Sequence, residues 1–279
     1  MISKQESIRN ESTANHPHHS DMFIERTFNP VSALKYRNDY LRLSGALTYS
    51  YIAVLPIILL YEIGIRLVNS GSPYGIHISA EILIKRVLSL IGLGDTLWFA
   101  LLILLLGAAI VFYERRHNLE IRPRYFGFMA GESAIYAVLL GSIVSMFVGT
   151  LFGMASSPVA LQIPGGGEPS FMTQIVLSLG AGVYEEFIFR LVLVTALYGL
   201  LSLFNMDLRL RYVIAAVIGA LIFSAVHYTG SLGDALTLSS FTFRFLMGLA
   251  LNALFLLRGF GIAATTHALY DIYVTILQA

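Results

Sequence analysis

Hydrophobic residues fall in long, nearly unbroken runs along this chain, and polar residues are confined to short stretches between them. Seven runs stand out, over 43–68, 96–112, 133–151, 172–197, 212–228, 241–257 and 260–277. An α-helix needs ~20 apolar residues to cross a bilayer, so each run predicts a membrane span. Between the first two runs, residues 76–93 repeat their apolar positions at helical spacing, with Glu81, Lys85 and Arg86 set on another face. This pattern predicts an amphipathic helix lying in the interface. The segment 155–170 carries Pro158, Pro164, Pro169 and three consecutive glycines, Gly165 to Gly167, and predicts a loop or lid leading into the fourth span. The expected fold is therefore all-α: a polytopic transmembrane bundle of about seven spans plus one interfacial helix.

Composition agrees with this picture. The chain has 279 residues, 56% hydrophobic and 13% charged, against about 25% charged in a typical soluble domain. A net charge of +1, with no basic stripe interleaved with aromatics, gives no sign of a nucleic-acid partner. The absence of cysteine excludes disulfides, thiolate metal sites and a cysteine nucleophile. Residues 1–33 are polar and aperiodic, with His16, His18 and His19 close together; they predict a disordered tail preceding one membrane domain over 34–279. Arginines crowd the breaks around 115–124 and 209–211, whereas the breaks after the third and fifth runs carry no Lys or Arg. The bias predicts a cytoplasmic N-terminus and an outside C-terminus, with Lys85 and Arg86 the exception.

Polar residues inside the later runs change the picture from architecture to chemistry. Glu185, Glu186 and Arg190 sit within the fourth run, Phe223 and His227 close the fifth, and His267 and Asp271 lie within the last. Ionisable groups at membrane depth are costly and point to function. Neighbours on a helix stand ~100° apart, so Glu185 and Glu186 face different ways. Glu186 and Arg190 are four residues apart, and pairing would offset the burial of both. Glu185 is then the carboxylate free to take and return a proton. Phe223 lies one turn before His227 and can wall its imidazole from lipid. Asp271 can accept from one nitrogen of His267 and fix its tautomer. The plainer readings are a packing ion network, an interfacial histidine and a helix-gluing polar pair. The argument for function is joint: three polar clusters in three apolar helices can meet at one cavity. Counting along the runs places His227 near one membrane face and His267 nearer the other, so a shared site requires tilted or shifted spans.

The ordered patterns Glu185-Glu186-x-x-x-Arg190, Phe223-x-x-x-His227 and His267-x-x-x-Asp271 resemble the three motifs of the CAAX-protease and bacteriocin-processing family of intramembrane glutamyl endopeptidases. The likeness covers about 171–271 and leaves the first 130 or so residues without specific resemblance. It implies that Glu185 and His227 activate the attacking water, that His267 and Asp271 stand on the oxyanion side, and that Glu186 and Arg190 support the site. It implies no cofactor and no metal. Asp271 stands where the prenyl-protein members carry Asn; a carboxylate donates no hydrogen bond unless protonated, so Asp271 is expected to orient His267 instead.

The function expected is an intramembrane endopeptidase acting on a membrane-anchored or hydrophobic peptide, in a multi-pass protein of the bacterial cytoplasmic membrane. Three other readings compete. A zinc-dependent membrane peptidase would use His227, His267 and a glutamate, but no His-Glu-x-x-His motif occurs. A proton-coupled carrier would use the same groups as a relay and predicts broken helices or paired repeats. A non-catalytic scaffold predicts that Glu185→Gln is silent.

Overall fold

The structure is a computed structural model. It describes residues 39–70, 75–90, 92, 96–153, 169–229 and 233–278, with the side chains of 96–100 and 278 left aside. The expected tail over 1–33, and the expected loop over 155–170 except for its last two residues, lie outside the described residues.

Helices occupy every one of the hydrophobic runs, and the described residues contain no strand. In chain order they are α1 (Asp39–Ser44), α2 (Leu47–Val68), α3 (Ser79–Ser89), α4 (Thr96–Arg116), α5 (Arg124–Phe152), α6 (Phe171–Glu186), α7 (Thr195–Leu201), α8 (Leu208–Val226), α9 (Leu238–Arg258) and α10 (Phe260–Gln278). Of these, α2, α5, α8, α9 and α10 are each long and apolar enough to cross a membrane. The fourth run departs from expectation. It is not one regular span, because a π-helical segment, Phe187–Val194, separates α6 from α7. π segments inside helices cluster at functional sites, and this one begins directly after Glu186.

A lipid environment gives no water to free backbone groups, so helix ends need partners. Ser170 accepts from the Thr173 N–H at the start of α6, Asp207 from Arg209 and Leu210 at the start of α8, and Thr237 from Ser240 at the start of α9. Gly153 ends α5 with φ 61°, a left-handed turn that costs glycine no Cβ clash.

The helix α10 forms the centre, packing against α2, α5, α6 and α9. Its apolar window is 56% buried, against 39% or less for the other four, and that sets it apart as the core helix. Small residues permit this. Ile262, Ala263, Ala264 and Ala268 are essentially without exposure. A Cβ at Gly182 of α6 would collide with the Ala268 backbone, so only glycine lets α6 and α10 come this close. Outward, large apolar side chains such as Leu105, Phe147 and Leu221 are exposed around the bundle, as a surface solvated by acyl chains requires.

Two ionic clusters tie the bundle together. The Arg258 guanidinium grips Glu132 with two bonds, Nε to Oε1 at 2.6 Å and Nη2 to Oε2 at 2.8 Å. It also donates to Ser44 Oγ at 3.0 Å, and Tyr40 donates to the same Glu132. This joins α1, α5 and α9. The second cluster corrects the expected polarity of α3. Glu81 does not face the headgroups; it is fully buried against the bundle, bonded by Tyr61, Lys85 and His77, while Leu83, Val87 and Leu90 point outward. A carboxylate with three donors is better placed inward than bare apolar side chains would be. Burial alone raises the Glu81 carboxyl, but the Lys85 and Tyr61 bonds outweigh it and hold the group below its usual range.

Candidate active site

The site is built by α6, α8, α9 and α10. Glu185 and Glu186 lie in the last turn of α6, and adjacent side chains there diverge as the helical angle demands. Glu186 turns into the protein, fully buried, while the Glu185 side chain keeps 16% of its surface open to a cavity. That cavity, about 80 Å³, is lined by Glu185, His227, His267 and Asp271, with Phe223, Phe243, Met247 and Tyr270. The space is large enough for ordered water, since about 10–15 Å³ of such space admits one molecule. The shared lining removes the difficulty of depth: the residue that closes α8 and one near the middle of α10 reach the same cavity.

His227 follows the last residue of α8. Its Nδ1 bonds the Phe223 carbonyl oxygen at 2.7 Å. A carbonyl only accepts, so Nδ1 carries the proton, and a neutral ring presents the Nε2 lone pair. That Nε2 faces Glu185 Oε2 at 3.8 Å. The separation is too long for a direct bond and suits an oxygen held by both.

His267 is buried on α10 and is held from behind by a different residue than expected. Glu186 Oε1 accepts from Nδ1 at 2.7 Å, whereas Asp271 Oδ2 lies 3.6 Å from Nε2. The orienting carboxylate is therefore Glu186, supplied across the close α6–α10 contact, and Asp271 stands at the cavity-side nitrogen. Arg190 approaches the same Glu186 oxygen at 3.0 Å, as its spacing predicts. The approach is ionic and unaligned: none of the guanidinium nitrogens makes a hydrogen bond, and Glu186 Oε2 has none either. The Arg190 cation instead lies over the Phe223 ring, 4.3 Å from its centre. Phe223 thus serves more than a wall. It packs edge-on against both His227 and His267 and carries Arg190 on its face.

Sequence reasoning missed Arg244. An arginine near the start of an apolar run can snorkel to the interface, but Arg244 lines the cavity with a side chain only 12% exposed. Its signal was available: a lone cation inside an otherwise apolar run. Glu62 and Arg66 do not pair as their spacing suggests; Glu62 accepts from the Tyr184 hydroxyl at 2.7 Å. Among the described residues, no group of three or more His, Asp or Glu side chains is placed to hold a metal ion.

Taken together, these features define a polytopic helical membrane protein with a cluster of ionisable side chains around a cavity between its helices. Residues 167–273 match the Rce1-like family, described as type II CAAX prenyl endopeptidase Rce1-like, and the matched segment includes every motif residue from Glu185 to Asp271. The resemblance drawn from the three motifs is borne out by this match, which points to a protease of membranes. No curated protein and no solved structure gives a significant match.

Proposed function

We propose that the protein is an intramembrane endopeptidase that hydrolyses a peptide bond of a membrane-anchored or hydrophobic substrate without a metal. The observation that carries this reading is the facing pair of Glu185 Oε2 and His227 Nε2 at 3.8 Å, across a cavity also lined by His267 and Asp271.

A water held between Glu185 and His227 attacks the scissile carbonyl carbon as Glu185 takes its proton. The carbonyl electrons move onto oxygen, giving a tetrahedral oxyanion on the side of His267. Collapse re-forms the C=O bond and breaks the C–N bond. Glu185 returns the proton to the leaving amine. Glu186 keeps His267 in place, and Arg190 with Phe223 keeps Glu186 in place. Low dielectric around the cavity strengthens each of these interactions. The lipid-exposed walls suit a substrate already resident in the bilayer.

The test is cleavage of a model membrane-anchored peptide by purified protein, with and without a strong chelator. Wild-type cleavage that survives chelation and is lost in Glu185→Gln supports the reading. Cleavage abolished by chelator and restored by zinc overturns the metal-free mechanism. Cleavage unaffected by Glu185→Gln overturns the base.

A further inference from the structure

Arg244 is a cavity-lining cation to which the proposed mechanism gives no task. It rises from the first turns of α9 into the space shared by Glu185, His267 and Asp271. Its fixed contacts use three of the five guanidinium N–H groups. Nη1 donates to Tyr228 at 2.9 Å and to Ser240, and Nη2 donates to Asp234. Asp234 and Ser240 hold the group from behind, and the Tyr228 ring packs against it with the guanidinium carbon 5.2 Å from the ring centre. That leaves Nε–H and one Nη2–H without a protein acceptor among the described residues.

The electrostatics of the cavity give those donors a role. Glu185 and Asp271 put two carboxylates on one small volume, and Glu186 adds a third behind His267. Arg190 is committed to Glu186 and the Phe223 face. Attack on a carbonyl would add a further negative charge beside Asp271, whose carboxylate when ionised offers only lone pairs. With its Nδ1–H given to Glu186, His267 donates from Nε2 on that side only in its imidazolium form. An oxyanion formed here needs a second donor and a compensating cation.

We propose that Arg244 is a catalytic residue that donates an N–H to the oxyanion of the tetrahedral intermediate, taking the part that Asp271 cannot. The proposal rests on the peptidase reading above. Its geometry is prepared in advance, because the contacts to Asp234, Ser240 and Tyr228 fix the fork before substrate arrives. Pre-set donors of this kind act when charge develops rather than when substrate binds.

The experiment compares wild type, Arg244→Gln, Asp271→Asn, the double variant Arg244→Gln/Asp271→Asn, and Asp234→Asn, all purified in detergent. Each is assayed for kcat and KM on the same anchored peptide and for thermal unfolding. Removing one oxyanion donor lowers kcat by about 10²–10³, so Arg244→Gln should lose that much with KM little changed. The double variant, given an amide donor at position 271, should recover at least about tenfold over Arg244→Gln. Asp234→Asn weakens the tie from behind while leaving the Arg244 donors in place, so it should lower kcat less than Arg244→Gln does. An Arg244→Gln enzyme with full kcat overturns the proposal. So does a loss confined to KM, which would mark Arg244 as a ground-state anion site, or a loss matched by Asp234→Asn and by falling stability, which would make it structural. A double variant no better than Arg244→Gln overturns the exchange of roles. None of these outcomes touches the peptidase reading, which fails separately if wild type cleaves nothing or Glu185→Gln is silent.

Discussion

Arg190 and Arg258 are both guanidiniums drawn out of water to meet a glutamate, and they are held in opposite ways. Arg258 meets Glu132 fork to fork at 2.6 and 2.8 Å, with Ser44 and Tyr40 completing the set. Arg190 stands 3.0 Å from Glu186 with no aligned bond, on an aromatic face, while Glu186 gives its one engaged oxygen to His267. A buried pair stabilises only when its remaining bonds are made. The first arrangement is a clamp between helices. The second leaves bonding capacity unused beside a cavity, and that is the signature of a group kept for something other than holding the fold together. The Glu81 cluster, with its three donors, falls with the clamp.

The sharpest way to break this contrast is to alter one member on each side and read rate and stability separately. At the cavity, Glu185→Gln keeps the shape and removes the proposed base, so turnover should fall by about 10²–10⁴ with an unchanged melting temperature. A melting temperature lowered along with activity would make Glu185 part of the fold. At the clamp, Glu132→Ala strands Arg258 and should cost about 3–5 kcal/mol of stability, measured by thermal or denaturant unfolding, while kcat per folded molecule stays near wild type. Glu186→Gln lies between the two. It should lower turnover about 10–100-fold, the usual effect of loosening a carboxylate that orients a histidine, and also lower stability by leaving Arg190 uncompensated. Full stability with lost activity would move Glu186 wholly to the chemistry. The smallest effect is expected at Glu81→Gln, about 1–2 kcal/mol from weakened charge-assisted bonds. Its sign with pH is fixed by the depressed folded-state pKa. The stability Glu81 adds is present above its unfolded value of about 4.3 and fades as pH falls through the lower folded value. The difference between wild type and Glu81→Gln should therefore shrink in acid, as melting curves across pH will show.

Much of this was written in the sequence where a periodic pattern decides the outcome. The runs became helices because twenty apolar residues in lipid have no other way to satisfy their backbone. Glu186 and Arg190 met because four residues close one helical turn. What could not be read is what depends on the approach of distant segments. The bond from His267 to Glu186 crosses 81 residues and exists because Gly182 lets two helices touch. The inward turn of Glu81 depends on Tyr61 waiting in another helix, which no local hydrophobic period reports. Arg244 was missed for the same reason: its partners Asp234 and Tyr228 lie outside its own run.

The π segment after Glu186 carries a consequence for how this helix can change. In a regular helix, one stripe of side chains keeps the same bearing from end to end. Here the stripe is offset partway along, so Gly182 and Glu186 face α10 while Val194, eight residues on, fills the space above Gly219 of α8. The segment works as a phase shifter between two neighbours that need different bearings. Removing one residue from 187–194 would restore a common phase and turn everything beyond it by ~100°, so that either the face toward α10 or the face toward α8 keeps its partner, but not both. The chain is thus indexed at this point: substitutions can be absorbed one at a time, whereas a change in length cannot.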